Sequence, residues 1–194
     1  MYKRKKIKNF NNLKLNPKKR LLMIFKSGGG FTLLEVMVAI SVMTLAVAGS
    51  FILIQQTLVA ASLGQSKLIA SYLAQEGFEI VRNIRDSNWL EQRYDSTVSW
   101  DEGISPGESS KDYIADYTDD LYLRPFEDIF LRLDDDGFYN YDSGQSTVFK
   151  RKISITKNDP PDSIKVEVLV EWSERGRNHN FSAQEYLYNW YRLE

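Results

Sequence analysis

Glu35 is the one acidic residue at the head of a long uncharged run. It stands five residues after Gly30, the last of three consecutive glycines, and it is followed by 19 residues, Val36 to Ile54, with no charge. A carboxylate at full depth in a membrane costs about 2.5–3.5 kcal/mol unless it lies near the interface or finds a cation, so its presence there is a functional signal. If the chain is cut after Gly30, Phe31 acquires an α-amino group with a reference pKa of about 7.7–8.0, roughly 6 Å of helix rise from Glu35. Within one chain the two groups meet poorly. Between chains staggered by about one helical turn, the amine of one copy reaches the carboxylate of the next, and that pairing offsets the burial cost and sets the stagger.

The rest of the chain offers little reaction chemistry. There is no cysteine, which excludes both a disulfide frame and a thiolate metal site. His179 is the only histidine and sits between Asn178 and Asn180 in an expected turn, where a surface role outweighs that of a general base. No nucleophile has a recognisable Ser-His-Asp or Cys-His setting, and no glycine-rich phosphate loop follows a strand, so neither enzyme activity nor a cofactor is expected. Asp134, Asp136 and Asp142, with Asp135 and Asn140 nearby, are weak calcium candidates. Their spacing departs from the alternating Asp-x-Asp-x-Asp-Gly loop, which favours a solvated turn and no metal. Lys150-Arg151-Lys152 is a basic run better explained as a solvated strand than as a nucleic-acid contact. The many aromatics, among them Trp89, Trp100, Tyr186, Tyr188 and Trp190, suit a compact core, fibre contacts or carbohydrate.

The elements that would position Glu35 are set by charge and hydropathy. Upstream of Phe31 lie ten Lys or Arg and no acid. The positive-inside bias therefore keeps this leader in the cytoplasm, and the uncharged run approaches the roughly 20 residues a helix needs to cross hydrocarbon. The chain beyond it faces outward. Without the leader, 164 residues remain with 15 basic and 26 acidic side chains, a formal charge of −11 that argues against nonspecific nucleic-acid binding. An ordinary secretory signal cut near Ala46-Val47-Ala48 is disfavoured because the apolar run continues through Phe51-Ile52-Leu53-Ile54. An uncleaved anchor would need neither the triple glycine nor Glu35.

Past the span, Ile69, Leu73, Gly77, Ile80 and Ile84 recur at helical spacing. No proline occurs between Phe31 and Ile104, so one helix from about Phe31 to Asp86 is allowed, stopped by the turn chemistry of Asp86-Ser87-Asn88. The stretch from Trp89 to Asp120 reads as irregular connection with room for one short helix or strand. A hairpin with Asp136-Gly137 at its turn is expected between Ile129 and Tyr141. Thr147 to Thr156 alternates as a strand, and Ser163 to Trp172 is the clearest one, with Ile164, Val166, Val168, Val170 and Trp172 on one face. A turn through Arg175-Gly176-Arg177 leads to a last aromatic strand, Phe181 to Tyr191. Three or four antiparallel strands laid on the distal helix would bury both apolar faces.

Gly30 followed by Phe31-Thr32-Leu33-Leu34-Glu35-Val36-Met37-Val38-Ala39-Ile40 resembles the cleavage and methylation motif of type IV prepilins and the pseudopilins of type II secretion and competence systems. The resemblance implies an α+β, pilin-like fold in which one long amino-terminal helix packs on a small antiparallel sheet. It implies a basic leader over 1–30, a helix over 31–87 with its transmembrane part at about 33–54, and a globular β head over 88–194. It further implies that prepilin peptidase cuts between Gly30 and Phe31 and methylates the new amine, and that Glu35 neutralises a neighbour's amino terminus. A glycine there suits a protease needing an extended backbone without a side chain. Implied partners are the peptidase, other pilin or pseudopilin subunits, the cytoplasmic membrane and, indirectly, an assembly platform and ATPase. The apolar segment lacks the proline common in major pilins, and Ala74 to Trp89 looks like a helix end of pilus-modification-type minor pilins, which leans the resemblance toward a minor pilin or pseudopilin. The reading from another class is a membrane-anchored extracellular binding domain that does not polymerise.

Overall fold

The computed structural model describes residues 30–107, 109–158 and 162–191. The leader before Gly30 and the Asp159-Pro160-Pro161 break lie outside them. The described chain forms one helix, α1 (Leu33–Glu91), and then strands β1 (Ser110–Ile114), β2 (Arg124–Pro125), β3 (Arg132–Leu133), β4 (Tyr139–Asn140), β5 (Gln145–Ser146), β6 (Phe149–Lys157), β7 (Ser163–Glu174) and β8 (Arg177–Tyr188). It divides into two compact units, Met1–Ile54 and Gln55–Glu194.

In the first unit every described residue is exposed, and the helix is long and apolar enough to cross a membrane, with a mean hydropathy of 2.4 over its most apolar window. The hydroxyls of Ser41, Thr44 and Ser50 bond within the helix itself. Ser41 Oγ donates to Met37 O at 2.8 Å, Thr44 Oγ1 to Ser41 O at 2.8 Å and Ser50 Oγ to Ala46 O at 2.9 Å. Hydrocarbon offers no water to hydroxyls, so bonding back onto the helix lets them sit in lipid.

In the second unit the remainder of α1 packs on one face of an antiparallel five-stranded sheet of order β2-β1-β6-β7-β8. This is the α+β, helix-on-antiparallel-sheet architecture the pilin resemblance implies. The inner face of β7 is the expected one: Ile164, Val166, Val168, Val170 and Trp172 are all buried. They pair in register with Ile153 and Ile155 of β6, through Ile153↔Val168 and Ile155↔Val166. Each such aliphatic side chain contributes about 1.5–3 kcal/mol on burial.

The helix seam is tighter than periodicity alone suggests. Ala70, Leu73, Ala74, Gly77, Phe78, Val81 and Ile84 are buried, whereas Ile69 is only half-buried. Small residues let the backbone come close to the sheet. A Cβ at Gly77 would lie 3.2 and 3.3 Å from the two methyls of Val168 and 3.5 Å from Arg151 Cδ.

Arg151 corrects the reading of Lys150-Arg151-Lys152 as a solvated basic run. Strand alternation sends Lys150 and Lys152 outward and Arg151 inward among Phe149, Ile153 and Ile155. The residue is 1% exposed, and its guanidinium donates through Nη1 to Leu73 O at 2.9 Å and through Nη2 to Ala115 O, and faces Glu76 Oε2 at 3.2 Å. One side chain thus ties α1, β6 and the end of β1 together.

Several expectations need correction. The helix does not stop at Asp86-Ser87-Asn88 but runs to Glu91, because Asn88 is buried and its Nδ2 donates to Trp100 O at 3.2 Å and Glu102 O at 2.8 Å. Trp89 then packs on Trp190 and Tyr191, with ring centroids 4.8 and 5.8 Å apart, so tertiary contacts override local turn propensity. The sheet has five strands, not three or four, since β1 lies in the stretch without periodicity and β2, two residues long, follows it. A second sheet, β4-β3-β5, contains the expected hairpin with Leu133↔Tyr139 and Gly137 at φ 88°, but its strands are two residues long. The turn between β7 and β8 is Arg175-Gly176, both at positive φ, as a two-residue hairpin of right-handed strands requires. His179 consequently lies in β8, opposite Trp172 and stacked on its ring at 5.5 Å, rather than in a turn.

Candidate processing and assembly site

Gly30, Phe31 and Thr32 precede the helix in a non-helical segment, and α1 begins at Leu33. Phe31 is 79% exposed, and nothing lies within 4 Å of where a Cβ on Gly30 would be. The Gly30–Phe31 peptide bond is therefore accessible, and the fold of this chain places no steric demand for glycine there. Any such demand must come from whatever engages the segment.

Thr32 is the helix N-cap. Its Oγ1 accepts a hydrogen bond from the amide of Glu35 at 3.2 Å, and its carbonyl accepts from the amide of Val36 at 3.2 Å. An unpaired amide at a helix start needs such an acceptor, and threonine three residues before glutamate is the spacing of a capping box. This role of Thr32 is legible in the sequence pattern Thr-x-x-Glu ahead of an apolar run, a signal separate from the roles of Gly30, Phe31 and Glu35. Glu35 occupies the first turn, where a negative charge interacts favourably with the helix dipole. The arrangement is thus an exposed non-helical peptide, a capped helix start and a carboxylate one turn in, at the head of an apolar stretch of helix.

The acidic residues of the head are used differently. Asp134 Oδ1 accepts from the amides of Asp136 at 3.0 Å and Phe138 at 2.8 Å, and its Oδ2 accepts from Asn140 Nδ2 and Tyr117 Oη, each at 3.3 Å. Asp142 instead faces Arg124 Nη1 at 3.7 Å. Asp134, Asp136 and Asp142 are not brought together, and among the described residues no three His, Cys, Asp or Glu converge as a metal would need.

Asp116 is the acid the sequence reading missed. It is fully buried and accepts from Thr118 Oγ1 at 2.6 Å, the Thr118 amide at 3.0 Å, the Tyr141 amide at 3.1 Å and Arg124 Nη2 at 2.7 Å. Burial alone would raise its pKa. The bonds from Thr118 and Tyr141 and the charge of Arg124 outweigh that and hold it below the usual carboxylate value. It joins the loop after β1 to the small sheet, so its chemistry is structural.

Residues 26–51 match the family model of the prokaryotic N-terminal methylation motif. That span includes Gly30, Phe31, Glu35 and most of the apolar run, and it supports a type IV prepilin-like protein. Among curated proteins and solved structures, no significant match to the chain is found.

Proposed function

We propose that this type IV prepilin-like chain is a structural subunit, a minor pilin or pseudopilin, of a type IV pilus-like filament, and that it has no enzymatic role. The observation that carries the reading is the conjunction at its amino end: an accessible Gly30–Phe31 bond, Glu35 in the first helical turn and the uncharged stretch of α1 that follows, most of it inside the matched methylation motif. In this reading prepilin peptidase cuts after Gly30 and methylates the amine of Phe31. The leader stays cytoplasmic, α1 holds the subunit in the cytoplasmic membrane, and the head is outside.

Assembly then moves the apolar helix from lipid into a bundle of like helices. Transfer of apolar surface between two apolar surroundings has little hydrophobic driving force, so packing and polar pairing must guide it. Glu35 supplies the polar part by meeting the amine of a neighbouring Phe31. An assembly platform and ATPase supply the work, and other pilins or pseudopilins are the partners.

Thr32 makes the test sharper than a simple deletion. The cap uses the backbone amide of residue 35, which glutamine keeps, so Glu35→Gln removes the charge while retaining the local helix start. In cells carrying the filament system, Glu35→Gln and Glu35→Ala should both abolish incorporation into filaments while the membrane-held precursor accumulates. Normal incorporation of Glu35→Gln would refute the charge-pairing mechanism, and a subunit that never enters filaments would favour an anchored binding domain.

A further inference from the structure

The outward face of the five-stranded sheet carries a pattern that neither helix packing nor amino-terminal processing involves. β8 is its edge strand, and its outward positions are Asn178, Asn180, Ser182, Gln184, Tyr186 and Tyr188, all exposed. None is charged, although a soluble surface is ordinarily about 25–35% charged. Tyr186 and Tyr188 leave 49% and 56% of their surface open, on rings that give apolar contact at low entropy cost. At about 3.3 Å per residue, the stripe is roughly 33 Å long.

Near the hairpin end the stripe opens into a cleft of about 270 Å³, where Phe130, Val148 and Lys150 border Glu171, Asn178 and Asn180. Its cation is engaged: Lys150 Nζ bonds Asp128 Oδ1 at 2.8 Å and lies 4.7 Å from the Phe130 ring centre. Lys165, farther along the same face, faces Glu167 at 3.3 Å. Among the described residues, the Glu171 carboxylate and the side-chain amides of Asn178 and Asn180 have no hydrogen bond or ion pair to the protein. The cleft therefore offers a free carboxylate acceptor and two amides that both donate and accept, beside an apolar wall.

Those groups select a ligand class. An anion meets Glu171, while Lys150, the lysine lining the cleft, is already held by Asp128, and a purely apolar ligand would leave the amides and the carboxylate desolvated without bonds. A sugar ring supplies hydroxyls for the polar groups and C–H faces for the rings. We propose that the outward face of β8 and its adjoining cleft bind a neutral linear oligosaccharide.

The test uses the full chain in detergent micelles, titrated calorimetrically with cellohexaose, chitohexaose and maltohexaose. Hexagalacturonate serves as the anionic control and hexalysine as the cationic one. At least one neutral hexasaccharide should bind saturably, more tightly than either control. Asn180→Ala and Tyr186→Ala, both at exposed positions, should each weaken binding about tenfold with an unchanged melting temperature. Absence of binding to all three neutral sugars, tighter binding of either control, or affinity indifferent to both substitutions would overturn the proposal. None of these residues lies in the amino-terminal segment, so failure here leaves the filament reading untouched, and failure of that reading leaves this one standing.

Discussion

Replacing Arg151 tests whether a buried guanidinium pins the head to its helix. The side chain is almost wholly inaccessible, its Nη atoms donate to carbonyls of two different segments, Leu73 O and Ala115 O, and its stem lies beside Gly77. Charge-assisted hydrogen bonds contribute about 1.5–3 kcal/mol each, and removing one partner of a buried pair costs about 3–5 kcal/mol. These overlap and are not summed, because Arg151→Ala loses both bonds, the stem and one partner of Glu76 in a single event. Arg151→Ala is therefore expected to cost about 3–5 kcal/mol. Arg151→Met loses the same bonds and the same partner of Glu76 but keeps most of the buried stem, so it is expected to cost less than alanine by about 1–2 kcal/mol. Urea unfolding of the full chain in micelles, followed by the fluorescence of the buried Trp89, Trp100 and Trp172, measures both through the shift of midpoint at constant slope. A loss below about 1 kcal/mol for alanine, or equal losses for alanine and methionine, would refute the reasoning.

Two further substitutions probe the same core by other routes. Gly77→Leu should cost about 1–3 kcal/mol by forcing the helix off Val168, while Gly77→Ala should be close to neutral because a gain of about 1 kcal/mol in helix propensity offsets a contact tight by only a few tenths of an ångström. Unfolding midpoints of the two variants check the difference. Asp116 has a folded-state pKa below its unfolded value, so its contribution is fully present above the ordinary carboxylate range and is lost as pH falls through the folded value. Asp116→Asn should therefore lower stability near neutrality and flatten the acid limb, as measured by unfolding from about pH 6 down to about pH 2.

Much of the fold was legible because burial imposes a period. β7 buries one face completely, so Ile164, Val166, Val168, Val170 and Trp172 announced both the strand and its inner side. The same rule placed Arg151 on the apolar face of β6, but residue type argued for solvent, and only the carbonyls of Leu73 and Ala115, distant in sequence, make the buried position tenable. β1, β2 and β5 were hidden because short strands completed by long-range pairing leave no periodic trace. The helix end was misplaced for a related reason: Asn88 has a turn former's side chain, and what it bonds lies 12 and 14 residues away. At the amino end the reverse held. Glycine, Phe31, Glu35 and the uncharged run are contiguous, so the candidate site could be read locally, and the structure added Thr32 as its cap.

The most direct measurement of the central claim is the amino terminus of the protein recovered from cells with an active filament system, by intact mass and terminal peptide sequencing. Chain beginning at N-methylated Phe31, absent when prepilin peptidase is removed, is the expected result. An intact Met1, or a terminus at Gly49 from cleavage after Ala48, would contradict it.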